Sequence, residues 1–133
     1  MPPRTLLPDD ASDVAILAAV DGWAALLEGE QYDAAFNATE HDPAMRWTPD
    51  LMRVVITQYG DAEPGQRVTV EGKPTDIAQR KCVRRFAKNQ HGFVGHVLYD
   101  LNINGFASDL TATFGLRSEP GGLALFLEDI HVM

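Results

Sequence analysis

Apolar residues recur with a helical period in the first half of the chain and with a period of two in the second half. Ile16, Val20, Trp23 and Leu27 share one stripe at i, i+4, i+7 and i+11, and Leu17 and Leu26 add apolar surface beside it. This predicts a helix buried on more than one side. Asp9, Asp10 and Ser12 are its N-cap candidates, Glu28 marks its approximate end, and Gly29 is its C′ stop. A shorter helix over about residues 31–38 presents Tyr32, Ala35 and Phe36. A third begins on Thr48 as N-cap, with Pro49 at N1 and Asp50 at the positive end of the dipole, and closes at Gly60. On it Leu51, Val55 and Tyr59 recur every fourth residue, and Met52 and Ile56 widen the same face.

After a turn at 61–65, Val68 and Val70 alternate with Thr69 and Glu71. A second strand is expected over roughly 80–88, although 76–80 can also open as a helical turn. A loop at 89–92 leads into a long strand, 93–103. Asn104-Gly105 then signals a two-residue type I′ hairpin turn. Residues 109–117 return, 118–122 turn again, and 123–132 form the last strand.

A two-residue turn pairs Ile103 with Phe106, so that Tyr99 meets Leu110, Val97 meets Ala112, Gly95 meets Phe114 and Phe93 meets Leu116. Every residue of that face is apolar or small, and it is the face expected to take the helices. The opposite face then sets Asp100 against Asp109, Leu98 against Thr111 and His96 against Thr113. Two facing carboxylates call for a compensating cation, solvent, or a raised pKa. In the favoured register of the last strand, His131 lies opposite Asp109 and Asp129 opposite Thr111, so Asp100, Asp109 and His131 form one polar row. In the alternative register Asp129 faces the core and His131 leaves the row. Such a row can pin the register of a sheet, bind a divalent metal or run acid–base chemistry.

The fold class expected is therefore α+β: N-terminal helices on one face of a curved antiparallel β-sheet, in one domain over 1–133 with an extended or disordered arm at 1–8. The composition, 45% hydrophobic and 23% charged over 133 residues, is that of a globular domain. A single cysteine, Cys82, excludes an internal disulfide and suits a reduced, cytoplasmic setting. Residues 1–10 hold three prolines and no apolar run, so no secretory signal is expected, and no apolar stretch reaches the ~20 residues of a membrane span.

Charge is unevenly shared. Residues 1–64 carry twelve Asp/Glu against three Lys/Arg, whereas 65–133 carry seven against eight. An acidic helical half disfavours nucleic acid. Arg80, Lys81, Arg84, Arg85 and Lys88 form a basic run that reads as a solvated strand protecting a sheet edge. None of CxxC, HExxH, GxGxxG, GxxxxGKS or GxSxG occurs. Neither a cofactor nor a metal is called for by these signatures. His41 and His91 read as loop residues, and His96 as a solvated side chain on the polar face.

Several short motifs are familiar in combination. Arg46-Trp47-Thr48-Pro49-Asp50-Leu51 leading to Tyr59-Gly60, then Ser108-Asp109-Leu110-Thr111, then Asp129-Ile130-His131-Val132 resemble a small bacterial domain family of no assigned function. That resemblance implies that the two polar motifs are family features. The order of elements is similar to the cystatin-like and NTF2-like class, in which a curved antiparallel sheet wraps a long N-terminal helix. The usual NTF2-like chain inserts strands between its helices, and none is expected here before Gln66.

Two readings of function follow. One is a non-enzymatic binding or protein-interaction domain, homodimeric or recognising a basic protein through its acidic helical half. The other is an NTF2-like small-molecule binder or enzyme with a pocket between helices and sheet, lined by Trp23, Trp47, Tyr59 and Tyr99, with Phe36 and Phe114 nearby. Few titratable side chains are expected on the helix-facing side, which favours binding over catalysis.

Overall fold

A computed structural model of the chain describes residues 6–59 and 66–132. The expected stop at Gly60, the turn at 61–65 and the start of the arm lie outside the described residues. Three helices precede the main sheet: α1 (Asp13–Glu28), α2 (Tyr32–Asn37) and α3 (Pro49–Thr57). Ser12 caps α1, its side chain accepting from the Ala15 amide at 3.1 Å. Thr48 caps α3 by accepting from Leu51 at 3.0 Å, with Pro49 in the first turn. Both caps are the ones expected, because each hydroxyl satisfies an amide that the helix cannot.

The end of α1 differs in detail. Gly29 has a φ of −78° and Glu30 takes the left-handed conformation, at 57°. Glu30 N donates to Leu27 O at 3.0 Å and Gln31 N to Leu26 O at 2.9 Å, the two bonds of a Schellman motif.

The sheet has six strands: β1 (Glu40–His41), β2 (Val68–Thr69), β3 (Lys81–Arg85), β4 (Phe93–Ile103), β5 (Phe106–Glu119) and β6 (Gly122–Val132). Its order is β1-β6-β5-β4-β2, with β3 pairing β4 alongside β2. The sheet curls into a half-barrel with the helices against it, an α+β fold as expected. It is mixed rather than wholly antiparallel, because β1 runs parallel to β6, Glu40 beside Phe126 and His41 beside Leu127. A strand therefore does precede Gln66, and His41 belongs to it rather than to a loop. Two residues carry too little alternation to be seen in a sequence.

Ile16, Val20, Trp23 and Leu27 of α1 are all buried, as are Met52 and Ile56 of α3. They meet Val97, Tyr99, Leu101, Ile103, Leu110, Ala112, Phe114 and Leu116 of the central hairpin. Trp23 stands edge-on to Phe114, ring centroids 5.0 Å apart. The residues before α1 are tied down by an antiparallel bridge in which Leu7 and Leu123 exchange backbone bonds of 2.9 and 2.7 Å. Gly122 permits this approach, since a Cβ there would stand 2.1 Å from the Leu7 carbonyl oxygen.

Register is where the expectation gives way. Asn102 pairs with Ala107 as the hairpin demands, but Asp100 pairs with Thr111, Tyr99 with Ala112 and Val97 with Phe114. A bulge at Ser108–Leu110 places three residues of β5 opposite Leu101. A second irregularity near Val94 sets Phe93 opposite Arg117. Phe93 thus leaves the helix-facing side: a Cβ on Gly115 would stand 2.5 Å from its ring, which packs edge-on to Phe126 at 5.1 Å. Along β6 His131 pairs with Thr111 and Asp129 with Thr113, and a bulge at Glu128 precedes Leu127 opposite Phe114.

Candidate functional site

The expected row Asp100–Asp109–His131 does not assemble, because the β5 bulge moves Asp109 out of it. The side chain across from Asp100 is Thr111, whose Oγ1 donates to Asp100 Oδ1 at 2.6 Å. Asp100 is only 3% exposed, and its Oδ2 accepts from the Arg80 backbone amide at 2.7 Å. Arg80 Nε lies 3.9 Å away. The Asp100 amide donates to Arg80 O at 2.9 Å, so the carboxylate closes a reciprocal clamp on the start of β3. Gln79 Nε2 joins it by donating to Leu101 O and Ser108 O at 3.0 and 3.1 Å. Gln79 and Arg80 are held in this clamp, and residues 76–80 form no helix.

Asp109 instead accepts from the Tyr59 hydroxyl, beyond the C-terminal end of α3. Burial first, and the Asp109 carboxylate second, raise the Tyr59 pKa above its ordinary value. Ser108 Oγ donates to Leu101 O at 2.6 Å inside the bulge. Further along the sheet, His131 Nδ1 lies 3.0 Å from Asp129 Oδ2, both side chains being partly exposed. Asp129 Oδ1 accepts from the Ile130 amide at 2.9 Å. His96 Nδ1 lies 3.3 Å from Glu128 Oε1. Among the described residues no three His, Cys, Asp or Glu side chains are gathered to hold a metal ion. The polar face carries separate local contacts, those of Asp100 and Ser108 beside the β5 bulge and that of Glu128 with His96 at the β6 bulge.

The aromatic residues expected in one pocket are likewise separated. The Trp47 indole donates to the Glu128 carbonyl at 3.2 Å, an acceptor that the β6 bulge frees from the ladder. Tyr99 is buried against α1 and donates to Asp21. Its pKa is raised, chiefly by burial and then by that carboxylate. Lys81 Nζ stands 4.7 Å from the Tyr99 ring centroid. Phe36 stacks on His41 at 3.8 Å, and Phe114 is wholly buried. Trp23 alone of the four expected pocket residues lines the apolar space against α1.

That space is an apolar pocket of about 230 Å³ between α1, the residues leading into β1, and β6, with Leu7 at its rim. Ala19, Gly22, Trp23 and Leu26 form its helical wall; Ala38, Thr39 and Leu125 complete it. Two of its lining residues each carry a polar atom sealed off from solvent. Trp23 Nε1 and Thr39 Oγ1 are fully buried and have no hydrogen-bond partner. Leaving a buried donor unmatched costs on the order of 1–3 kcal/mol, and native structures hold few such groups. Gly22 is the third anomaly. A helix-interior glycine costs roughly 0.5–1 kcal/mol relative to alanine, yet a Cβ at Gly22 would meet nothing within 4 Å. Gly22 is exposed at the mouth of the pocket, and packing does not explain it.

Thr39 was not legible as a site residue, since nothing in its sequence neighbourhood distinguishes it from a helix-terminating threonine. Gly22 interrupts an otherwise unbroken helical pattern, and that signal was present. No protein-family model matches the chain, and no curated protein or solved structure matches it.

Proposed function

We propose that the chain is a non-enzymatic binding domain that takes a small, largely apolar molecule into the pocket beside Trp23. The observation that carries this reading is the apolar pocket of about 230 Å³ against α1, lined by Trp23, Thr39 and hydrocarbon side chains. Ligand pockets are mostly apolar with a few polar groups that fix orientation, and this one has that composition on a small scale. Among the described residues no ionisable side chain lines it, and none of them offers a general acid, base or nucleophile there. The likeness to NTF2-like architecture would then extend to use of a helix–sheet pocket, as an analogy of fold.

A basic protein, or a second copy of the chain, recognised by the acidic helical half is the other reading. Asp9, Asp10, Glu30 and Asp33 are exposed and suit it. Much of the remaining acidity is already engaged inside the chain: Asp13 with Arg85 at 2.9 Å, Asp50 with Arg53 at 2.7 Å, Asp21 with Tyr99. The pocket is the better supported site.

The test is occlusion. Gly22→Leu should fill the cavity and keep the fold, because leucine is the better helix former and finds open space. Small apolar compounds that raise the melting temperature of the wild-type chain should lose that effect in Gly22→Leu. Equal stabilisation of both chains would place binding elsewhere.

A further inference from the structure

We infer that docking of residues 6–8 on β6 and occupancy of the pocket are coupled: the strap they form closes the pocket, and the occupant holds the strap down. The inference rests on the pocket reading above and adds how that pocket is opened and shut.

The edge of β6 that faces away from β5 is met by two separate pieces of chain. Leu7 N donates to Leu123 O at 2.9 Å and Leu123 N to Leu7 O at 2.7 Å, an antiparallel bridge. β1 pairs at Phe126 and Leu127, and Asp42 N donates to Leu127 O at 3.2 Å. Leu125 falls between these two pairings, and it is the β6 residue that lines the pocket. The pocket is therefore the gap between the strap and the run into β1. Ala38 and Thr39 form one flank, Leu7 forms the other, and α1 closes the remaining side.

The two flanks are not equally held. Ala38 is continuous with α2, its amide donating to Ala34 O at 3.1 Å, and Glu40 just beyond Thr39 reaches Arg117 at 3.2 Å. Among the described residues the bridge to Leu123 is the only backbone hydrogen bonding of residues 6–8 to the sheet. Pro8 has no N–H with which to extend it. Segments held by few bonds are the ones that open by local unfolding, so the strap is the side that opens. Its seat is also narrow: a Cβ on Gly122 would stand 2.1 Å from Leu7 O and 3.2 Å from Leu6 Cβ.

Leu7 links the strap to the occupant. Its side chain lines the pocket, so a molecule inside touches it only while the bridge is made. Such a molecule binds the docked chain more tightly than the open one, and that difference shifts the strap towards docking. The effect is reciprocal, and an open strap weakens binding by the same factor.

Hydrogen exchange and binding read the two sides of this coupling in the full chain. Benzene is the probe, being small and apolar enough for a dry cavity of this order. Opening of the bridge exposes the Leu123 amide. With free benzene at about ten times its dissociation constant, exchange of that amide should slow about tenfold while the methyl resonances of Ala19 and Leu125 shift to saturation. Leu7→Pro keeps a hydrocarbon ring at the rim but loses the amide that donates to Leu123 O. Gly122→Ala keeps Leu7 and displaces its carbonyl. In both variants the Leu123 amide should exchange faster while that of the buried Phe114 stays protected. A strap docked one-tenth of the time should weaken benzene about tenfold. Gly22→Leu, with the strap intact, should neither bind benzene nor show slowed exchange when it is added. Unchanged Leu123 exchange at saturation, or wild-type affinity in variants whose strap is open, would overturn the coupling and leave the pocket reading standing. If benzene moves no pocket resonance of the wild-type chain, both readings fall.

Discussion

Glu30 holds a left-handed backbone position at the end of α1. It adopts φ 57° at the C′ position of α1, a conformation that costs a side-chain-bearing residue roughly 1–2 kcal/mol. Its carboxylate also sits at the negative end of the α1 dipole, and no basic residue in the last turn offsets it. The glycine expected in that role, Gly29, is one residue early. Since Glu30 is exposed, Glu30→Gly should stabilise the chain by about 0.5–1 kcal/mol after the added flexibility of the unfolded state is deducted. Glu30→Asn should recover part of the gain, because asparagine tolerates the left-handed region and carries no charge. Urea midpoints for the three chains would check this ordering, and a destabilised Glu30→Gly would mean that the Glu30 carboxylate has a structural task.

At the scale of elements, face was legible and register was not. Alternation along β4 and β5 placed Val97, Tyr99, Ala112 and Phe114 on the buried side, and all four are buried. The bulge at Ser108–Leu110 shifts pairing by two residues, and a two-residue shift leaves every side chain on its original face. Hydrophobic patterning is blind to such a shift. The same parity holds for β6, where Asp129 and His131 stay off the core side but pair with Thr113 and Thr111. Phe93 was misplaced for the complementary reason: the irregularity beside it involves one residue, and one residue reverses the face. The motif Ser108-Asp109-Leu110-Thr111 holds the β5 bulge, whereas Asp129-Ile130-His131-Val132 pairs regularly beyond the β6 bulge at Glu128, and the two do not gather one site. Stability should separate them. Asp100→Ala removes the acceptor of the Arg80 amide and the shorter contact of the Thr111 hydroxyl, and should cost about 1–3 kcal/mol. His131→Ala breaks a partly exposed pair with Asp129 and should cost under about 1 kcal/mol. Denaturation of the two variants would test this, and the reverse order would restore His131 to the centre of the face.

For the molecule as a whole, the uneven distribution of charge is softened by contacts between the two halves. Asp13 reaches Arg85 and Asp21 meets Tyr99, both joining α1 to the sheet, and Glu40 of β1 reaches Arg117 of β5 at 3.2 Å. Among the described residues no helix is long and apolar enough to cross a membrane. The tyrosines make the joining measurable. All three of the chain's tyrosines have pKa values above the ordinary one, each first through burial and then through a nearby carboxylate: Glu30 for Tyr32, Asp109 for Tyr59 and Asp21 for Tyr99. Tyr99 is the most strongly shifted. The folded chain therefore holds the phenolic protons more tightly than the unfolded chain, in which tyrosine titrates near ~10. Below that pH the contribution to stability is fully present; above it, stability falls as pH rises towards the folded values. Tyrosinate absorbance should stay low through pH 10 and then rise together with loss of the near-ultraviolet circular dichroism of the packed core. Tyr99→Phe, which removes the most shifted group together with its bond to the exposed Asp21, should lower stability at pH 8 by about 0.5–1.5 kcal/mol. It should also flatten the fall between pH 10 and 12. A Tyr99→Phe chain that loses stability over that interval as steeply as the wild type would show that the alkaline limit of the fold is set by something other than the contact between α1 and β4.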